Sequence, residues 1–181
     1  AVLHPDRVGS LVLEGASPGI EDEEDAAERR RADEDLADRI LSEGMERFVD
    51  RWMAKPIFRT QQRLPESRIR RERDRRLECD PVGLANTLRG LGTGHQPSFW
   101  EELGEIRVPA LLLTGAEDEK FTRIAREMAE RIRGAERIAV PGAGHTVHLE
   151  RPGAWLDAVT EFLARSRPAD QRRGASPRQT L

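Results

Sequence analysis

The sequence predicts an α/β protein with a parallel sheet and a helical insertion. Residues 110–114 and 137–140 are two largely apolar runs bounded by turn residues, which is typical of strands buried on both faces. Residues 122–132 lie between them, and their apolar side chains recur at helical spacing. A helix between two buried strands is typical of a parallel sheet. The highly charged residues 20–95 separate these strands from an earlier apolar run and predict the insertion.

The first strand is predicted at residues 8–14, which follow the turn signal His4-Pro5-Asp6 and include several β-branched residues. Residues 1–19 therefore contain one buried core strand and its flanks. A sheet whose first strand lies so near residue 1 has no earlier partners in this sequence. We therefore expect that the parent protein has an N-terminal part that this chain lacks.

The insertion, residues 20–95, is predicted to be a helical lid over an active site. Residues 20–41 place acids before arginines, which suits the helix dipole, and their narrow apolar stripe predicts a helix at the rim of the fold. Residues 45–53 form a second helix that Pro56 ends, and two more helices follow Pro65 and Pro81. The predicted apolar faces contain Ala26, Ala27, Leu36, Ile40 and Leu41 in the first helix and Val82, Leu84, Leu88 and Leu91 in the last.

Residues 96–165 are predicted to complete the core. Ser98 can cap a short helix, and strands are expected at residues 106–114 and 135–140. Pro152 begins a last helix whose broad apolar face docks on the sheet.

Composition limits the classes of function. Of the residues, 35% are charged, but Lys+Arg 30 and Asp+Glu 33 nearly cancel, so a nucleic-acid partner is not expected. The single cysteine, Cys79, cannot form an internal disulfide, which favours a reducing compartment. No apolar run approaches the roughly 20 residues that span a bilayer, so we expect a cytoplasmic protein. Residues 166–181, rich in proline, arginine and serine, are predicted to be a disordered tail; the oligomeric state is not predicted.

Asp118 and His145 are the candidate catalytic pair. Each follows a predicted strand, and the carboxyl ends of parallel strands are where reacting groups collect. A carboxylate that accepts a hydrogen bond from Nδ1 fixes the tautomer of a histidine and stabilises its charged form. Spacing alone leaves a second interpretation open, in which Asp118 caps a helix and His145 is a turn residue. Gly142 and Gly144 favour catalysis, because they allow a tight turn that presents the imidazole.

Other polar residues are given structural roles. His148 is expected to pack against or hydrogen-bond the following LERP turn. His4 and His95 lie beside turn residues and are interpreted as surface groups. Cys79 has Glu78 and Asp80 as neighbours, which disfavour a thiolate, so it is not expected to be a nucleophile.

Several segments resemble a known family. The strand followed by GAED, and the later PGAGH, are similar to the C-terminal half of the α/β-hydrolase superfamily. Within it, the chain more closely resembles the menaquinone-pathway synthases that make 2-succinyl-6-hydroxy-2,4-cyclohexadiene-1-carboxylate. The matching segments cover most of residues 8–152 and read LVLEGASPGI, AERRRAD, FVDRWMAKPIF, RRLECDPVGLANTLRGLGTGHQPSFW, LLLTGAEDEKF and VPGAGHTVHLERP.

The resemblance implies a lyase that eliminates pyruvate from 2-succinyl-5-enolpyruvyl-6-hydroxy-3-cyclohexene-1-carboxylate. It implies that Asp118 orients His145, which acts through a serine. It also implies that Arg29 and Arg76 bind carboxylates of a small-molecule substrate, that Trp52 forms an apolar wall, and that neither metal nor organic cofactor takes part. The alternative for both arginines is a solvated helix face with acids at i,i+4. Arg30, Arg31, Arg71 and Arg75 are possible substitutes.

The sequence contains no G-x-S-x-G nucleophile elbow. In the superfamily this elbow precedes a helix that ends in a stretch like AVLHPDRV, so we expect the serine upstream of Ala1. The fragment alone is then expected to be inactive. Two alternatives remain: an ester or C–C hydrolase with an acidic substrate, and a truncated, inactive remnant.

Overall fold

A computed structural model describes residues 1–166. Within them, three parallel strands form a sheet in the order β1 (Leu11–Glu14), β2 (Ala110–Gly115) and β3 (Glu136–Val140). Every residue of the central strand β2 is buried. The predicted parallel sheet is confirmed.

Helices surround the sheet and fill the long connection between β1 and β2. Three short 3-10 helices cover Pro5–Arg7, Pro56–Arg63 and Glu101–Glu105. Within the described residues, none of the helices combines the length and apolar character needed to cross a membrane. The α-helices are α1 (Glu23–Glu43), α2 (Met45–Met53), α3 (Glu66–Leu77), α4 (Pro81–Leu91), α5 (Glu119–Arg131), α6 (Val147–Glu150) and α7 (Pro152–Ser166).

Hydrophobic side chains pack against both faces of the sheet, so the sheet lies in the core. Alternate residues of β2 point to opposite faces, as strand geometry requires. Leu112 packs with Met128 of α5 on one face. Leu111 and Leu113 pack with Phe162 of α7 on the other. The helix after β2 and the last helix of the fold therefore cover the two faces.

Helices α1 to α4, together with the 3-10 helix Pro56–Arg63, form what we call the insertion. It has a small hydrophobic cluster of its own, in which Ile40, Phe48 and Val49 are buried. Helix α1, predicted to lie at the rim, instead buries Ala37 completely and packs along α4. Three residues predicted on apolar faces are exposed: Leu41, Val82 and Leu91.

Several predicted boundaries were wrong for local reasons. The first strand begins at Leu11 because Pro5–Arg7 forms a 3-10 helix, and the strand is only partly buried. The strand predicted at residues 106–114 begins at Ala110. Ser98 caps no helix: the nearby helix begins after Trp100, whose indole Nε1 donates to the Gly19 carbonyl oxygen at 3.1 Å.

The predicted tail falls almost entirely outside the described part of the chain. Its first residue, Ser166, is the last residue of α7, and its hydroxyl donates to the Phe162 carbonyl oxygen at 2.8 Å. The prediction for residues 167–181 lies outside the described residues.

The sheet core predicts a test of stability. Leu113 is completely buried between β2 and α7, so Leu113→Ala should lower the free energy of unfolding by about 2–5 kcal/mol through lost burial and a cavity. Leu91 is 81% exposed, so Leu91→Ala should change it by less than about 0.5 kcal/mol. Urea unfolding of the parent protein measures both; equal effects would contradict the described core.

Candidate active site

The side chains of Asp118 and His145 meet at the carboxyl edge of the sheet. Asp118 follows β2, His145 follows β3, and the two strands are adjacent and parallel. His145 Nδ1 lies 2.7 Å from Asp118 Oδ2, and the Asp118 side chain is only 8% exposed. Since a carboxylate can only accept, Nδ1–H donates and leaves Nε2 free to take up a proton.

Asp118 also caps α5. Its Oδ1 accepts a hydrogen bond from the Phe121 backbone N–H at 3.2 Å, while Oδ2 contacts His145. Asp118 therefore both caps α5 and contacts His145. Capping fixes the position of the carboxylate at the N-terminus of α5.

The loops after β2 and β3 touch through their backbones. The Glu117 N–H donates to the Ala143 carbonyl oxygen at 3.0 Å. At Gly115, an added Cβ would lie 2.1 Å from the Gly144 carbonyl oxygen and 2.3 Å from that of Ala143. Gly142 adopts φ +69°, a value that suits glycine, in the turn before His145. Glycine at position 115 is therefore a condition for the short contact between Asp118 and His145.

Glu150 holds the other side of the His145 turn. This buried carboxylate accepts from the Gly144 N–H at 2.9 Å through Oε2 and from the Thr146 N–H at 3.3 Å through Oε1. The two donors flank His145 in the chain, so Glu150 fixes the backbone that carries the imidazole. Sequence reasoning missed this residue, although a lone acid within the apolar segment after His145 was a usable signal.

His148 has a different partner from the one expected. Its ring Nδ1 lies 3.0 Å from both carboxylate oxygens of Glu14, and its backbone N–H donates to Glu14 Oε1 at 3.2 Å. Glu14 is the last residue of β1. The hydrogen-bond partner of His148 is thus Glu14 and not the LERP turn, and His148 ties α6 to the end of β1.

A cavity of about 1110 Å³ opens beside the imidazole of His145. Its walls come from the turn after β1, one face of α1, the end of α2, and the first residues of the 3-10 helix that follows Pro56. Aromatic rings lie on the His145 side: the ring centroid of Phe121 is 4.6 Å from that of His145, and the Phe58 centroid is 6.3 Å away. The cavity thus pairs an acid–base group with apolar surface.

Two of the three predicted substrate-binding residues line the cavity, and the third does not. Arg29 and Trp52 both line the cavity together with His145. Arg76 is not among the lining residues; its guanidinium donates to the Glu72 carbonyl oxygen at 2.8 Å and lies 3.4 Å from Glu72 Oε2. The structure therefore brings Arg29 and Trp52 together with His145 but does not bring Arg76 to them.

Three further basic residues of the cavity, Arg39, Arg51 and Lys55, were missed by sequence reasoning. Arg39 and Lys55 line it, and burial lowers the pKa of Lys55, with a further lowering from Arg29 and Arg39 and an opposing effect from Asp33. Helical spacing was the available signal for Arg39, because it shares one face of α1 with other lining residues. The lining residues on this face of α1 are Arg29, Ala32, Asp33, Leu36, Arg39 and Glu43.

The 3-10 helix Pro56–Arg63 connects the insertion to the loops that carry Asp118 and His145. The Gln61 amide donates to Thr146 Oγ1 at 3.1 Å, and Arg63 donates to both carboxylate oxygens of Glu117 at 2.7 Å each. The bond from Arg63 lowers the pKa of Glu117. Thr60 packs so closely that a Cβ on Gly144 would lie 2.2 Å from its Oγ1.

Metal binding has no visible basis in this part of the molecule. Among residues 1–166, no group of three or more His, Cys, Asp or Glu side chains is placed to hold a metal ion.

A parallel sheet with an acid after one strand and a histidine after the next is the arrangement of α/β hydrolases. A family model described as the alpha/beta hydrolase family matches residues 1–159. The chain belongs to this family.

Individual proteins show which members of the family the chain is similar to. The chain is 45% identical, over 90% of its length, to a Bacillus subtilis (strain 168) protein provisionally named 2-succinyl-6-hydroxy-2,4-cyclohexadiene-1-carboxylate synthase. It is 29% identical, over 85% of its length, to the synthase of that name from Photorhabdus laumondii. The solved structure of MenH from S. aureus matches 89% of the chain with a TM-score of 0.87 and 37% identity.

The coverage of these relatives is partial. The chain spans 60% of the Bacillus protein, 52% of the Photorhabdus protein and 60% of the S. aureus chain.

The contact at Gly115 predicts a strong effect of a single methyl group. Gly115→Ala should push apart the loops that follow β2 and β3 and lower the free energy of unfolding by about 1–3 kcal/mol. Gly90, near the end of α4, has nothing within 4 Å of an added Cβ, so Gly90→Ala should raise it by up to about 1 kcal/mol. Urea unfolding and NMR titration of His145 measure both variants. A Gly115→Ala protein with wild-type stability and an unchanged His145 titration would refute the close contact.

Proposed function

We propose that the protein carrying this chain is a lyase of menaquinone biosynthesis. It eliminates pyruvate from 2-succinyl-5-enolpyruvyl-6-hydroxy-3-cyclohexene-1-carboxylate and yields 2-succinyl-6-hydroxy-2,4-cyclohexadiene-1-carboxylate. The main observation in support is that His145, held by Asp118, opens into the cavity lined by Arg29 and Trp52. The 45% identity to the Bacillus protein supports the choice of reaction.

In the proposed mechanism, a serine from outside this sequence completes a triad with His145 and Asp118. The set removes the proton from ring carbon C2, and the electron pair forms the C2–C3 double bond while the ring double bond shifts from C3–C4 to C4–C5. The bond from C5 to the enolpyruvyl oxygen breaks, and the released enolate takes up a proton to become pyruvate. Asp118 stabilises the imidazolium that forms when Nε2 takes up the proton. Enolate charge that develops on the substrate is stabilised by an oxyanion hole, also outside this sequence, and by the arginine contacts.

The insertion is proposed to act as a lid that binds the substrate. Arg29 has a planar, permanently charged group suited to carboxylates, and Trp52 offers an apolar face. Arg76 is proposed as a third contact on the basis of the resemblance alone. Its guanidinium bonds to Glu72, and Arg76 is not among the residues that line the cavity. A cytoplasmic location is part of the same proposal, in keeping with the free, exposed Cys79.

Hydrolysis of an ester or a C–C bond with an acidic substrate is the second candidate. The same dyad and basic cavity suit it, because a serine activated by His145 would serve acyl transfer equally well. Parallel assays of the parent protein with the cyclohexene precursor and with a p-nitrophenyl ester separate the two. Turnover of the ester alone would favour the hydrolase. Failure of the parent protein on both substrates would favour an inactive remnant.

Loss of His145 should abolish the proposed reaction. In the parent protein, His145→Ala should lower kcat by at least about 10³-fold, since the acid–base group is removed. His4 is an exposed residue outside the cavity, so His4→Ala should leave kcat unchanged. Steady-state kinetics with the cyclohexene precursor measure both. Undiminished turnover by His145→Ala would reject the assignment.

Arginine variants test the proposed substrate contacts. Arg29→Ala should raise KM about tenfold, and should also lower kcat if the contact tightens in the transition state. Arg31, exposed on the same helix and absent from the cavity lining, is the matched control. Arg76→Ala, measured in the same series, decides its role: wild-type kinetics would remove it from the site. Melting temperatures accompany each measurement, because Arg29 also neutralises the buried Asp33.

A further inference from the structure

The insertion contributes an excess of positive charge to the cavity. The charged lining residues lie on α1, on α2 and in the turn that follows α2. The acidic lining residues are Asp33 and Glu43. The basic ones are more numerous: Arg29, Arg39, Arg51 and Lys55.

Two of the basic residues are already neutralised by the acids. Arg29 Nε donates to both carboxylate oxygens of Asp33 at 3.0 Å. Arg51 forms an ion pair with Glu43. These pairs use both acidic residues of the lining. Within residues 1–166, Arg39 and Lys55 have no ion-pair partner.

Lys55 is an exposed residue of the cavity wall and lies in an electropositive place. Its Nζ is 4.0 Å from the centroid of the Trp52 ring. Burial lowers its pKa, and the charges of Arg29 and then Arg39 lower it further, against the opposing charge of Asp33. The positive groups are therefore close enough to repel one another, and a bound anion would relieve that repulsion.

We propose that Arg39 and Lys55 form a second carboxylate-binding subsite, beside the contact at Arg29, for a cyclic ligand with two or more separated carboxylates. This inference rests on the proposed function, since it extends the substrate-binding site of the same cavity. The rings of Trp52, Phe58 and Phe121 provide the apolar surface between the charged groups.

The geometry of α1 supports two binding points over one. Arg29 and Arg39 are both on α1, and ten residues of α-helix span about 15 Å along the axis. The backbone attachment points of the two side chains are therefore well separated along α1, which leaves room for two carboxylates. A ligand with acids at opposite ends of a ring matches this spacing better.

Calorimetric titration of the parent protein tests the subsite directly. The probes are trans-1,4-cyclohexanedicarboxylate and cyclohexanecarboxylate, which share a ring and differ by one acid. The wild type should bind the dicarboxylate more tightly. Lys55→Gln and Arg39→Gln should each weaken dicarboxylate binding by about tenfold and change monocarboxylate binding by less than about twofold. Lys55→Arg should restore the dicarboxylate affinity, because it restores the charge.

Matched controls exclude a general effect of charge. Lys120 also lies near an aromatic ring, with Nζ 5.7 Å from the Phe121 centroid, but it is not a lining residue. Arg47 is exposed on α2 and is likewise absent from the lining. Lys120→Gln and Arg47→Gln should bind both probes as the wild type does. Equal affinity of the wild type for the two probes, or equal losses in controls and test variants, would overturn the subsite.

The binding assay separates this inference from the proposed reaction, because it requires no turnover. If the parent protein fails to convert the cyclohexene precursor yet shows the expected pattern with Lys55→Gln, the proposed reaction fails and the subsite stands. If it converts the precursor normally while Lys55→Gln and Arg39→Gln bind the dicarboxylate as the wild type does, the subsite alone is rejected.

Discussion

The close contact between the loops after β2 and β3 is the constraint on which the site depends. Asp118 and His145 come within hydrogen-bond distance because their strands are neighbours and because Gly115 lets the backbones touch. A carboxylate and an imidazole held in this way have little freedom left to lose when a proton moves. Glu150 completes the restraint from the opposite side by binding the N–H groups before and after His145. The acid–base geometry is thus built into the backbone of the core and does not rely on the insertion.

The segment Pro56–Arg63 attaches the insertion to that core, and Arg68 of α3 adds a hydrogen bond to the Leu149 carbonyl oxygen. The ion pair between Arg63 and Glu117 is exposed, so by itself it contributes only about 0–1 kcal/mol. Packing of Thr60 against Gly144 and the bond from Gln61 to Thr146 add direct contact with the residues on either side of His145. Because the insertion has its own hydrophobic cluster around Ile40, it can keep its internal structure while this attachment changes.

Sequence patterns predicted the parts of the molecule that are governed by periodicity and chain order. β2 was predictable because it is largely apolar, and the pairing of Asp118 with His145 followed from the parallel order of their strands. Contacts that depend on tertiary packing were not predictable. The 3-10 helix Pro56–Arg63 has no periodic signature, and the bonding of Arg76 to Glu72 within its own helix depends on how α3 is oriented. A resemblance can assign Arg76 a role, but only the orientation of its helix decides what it touches.

The division between core and insertion suggests how chemistry and specificity are distributed in this family member. His145 and Asp118 belong to loops of the sheet, whereas every lysine and arginine of the cavity comes from the insertion. A change in the α1 face or in the turn at Lys55 would therefore alter which acids are bound without disturbing the proton-transfer pair. Charge at the cavity wall also acts over a longer range than the catalytic contact, so it can orient an anionic ligand before the ring reaches His145. In the proposed function, the placement of the basic residues on the insertion thus makes ligand selection separable from catalysis.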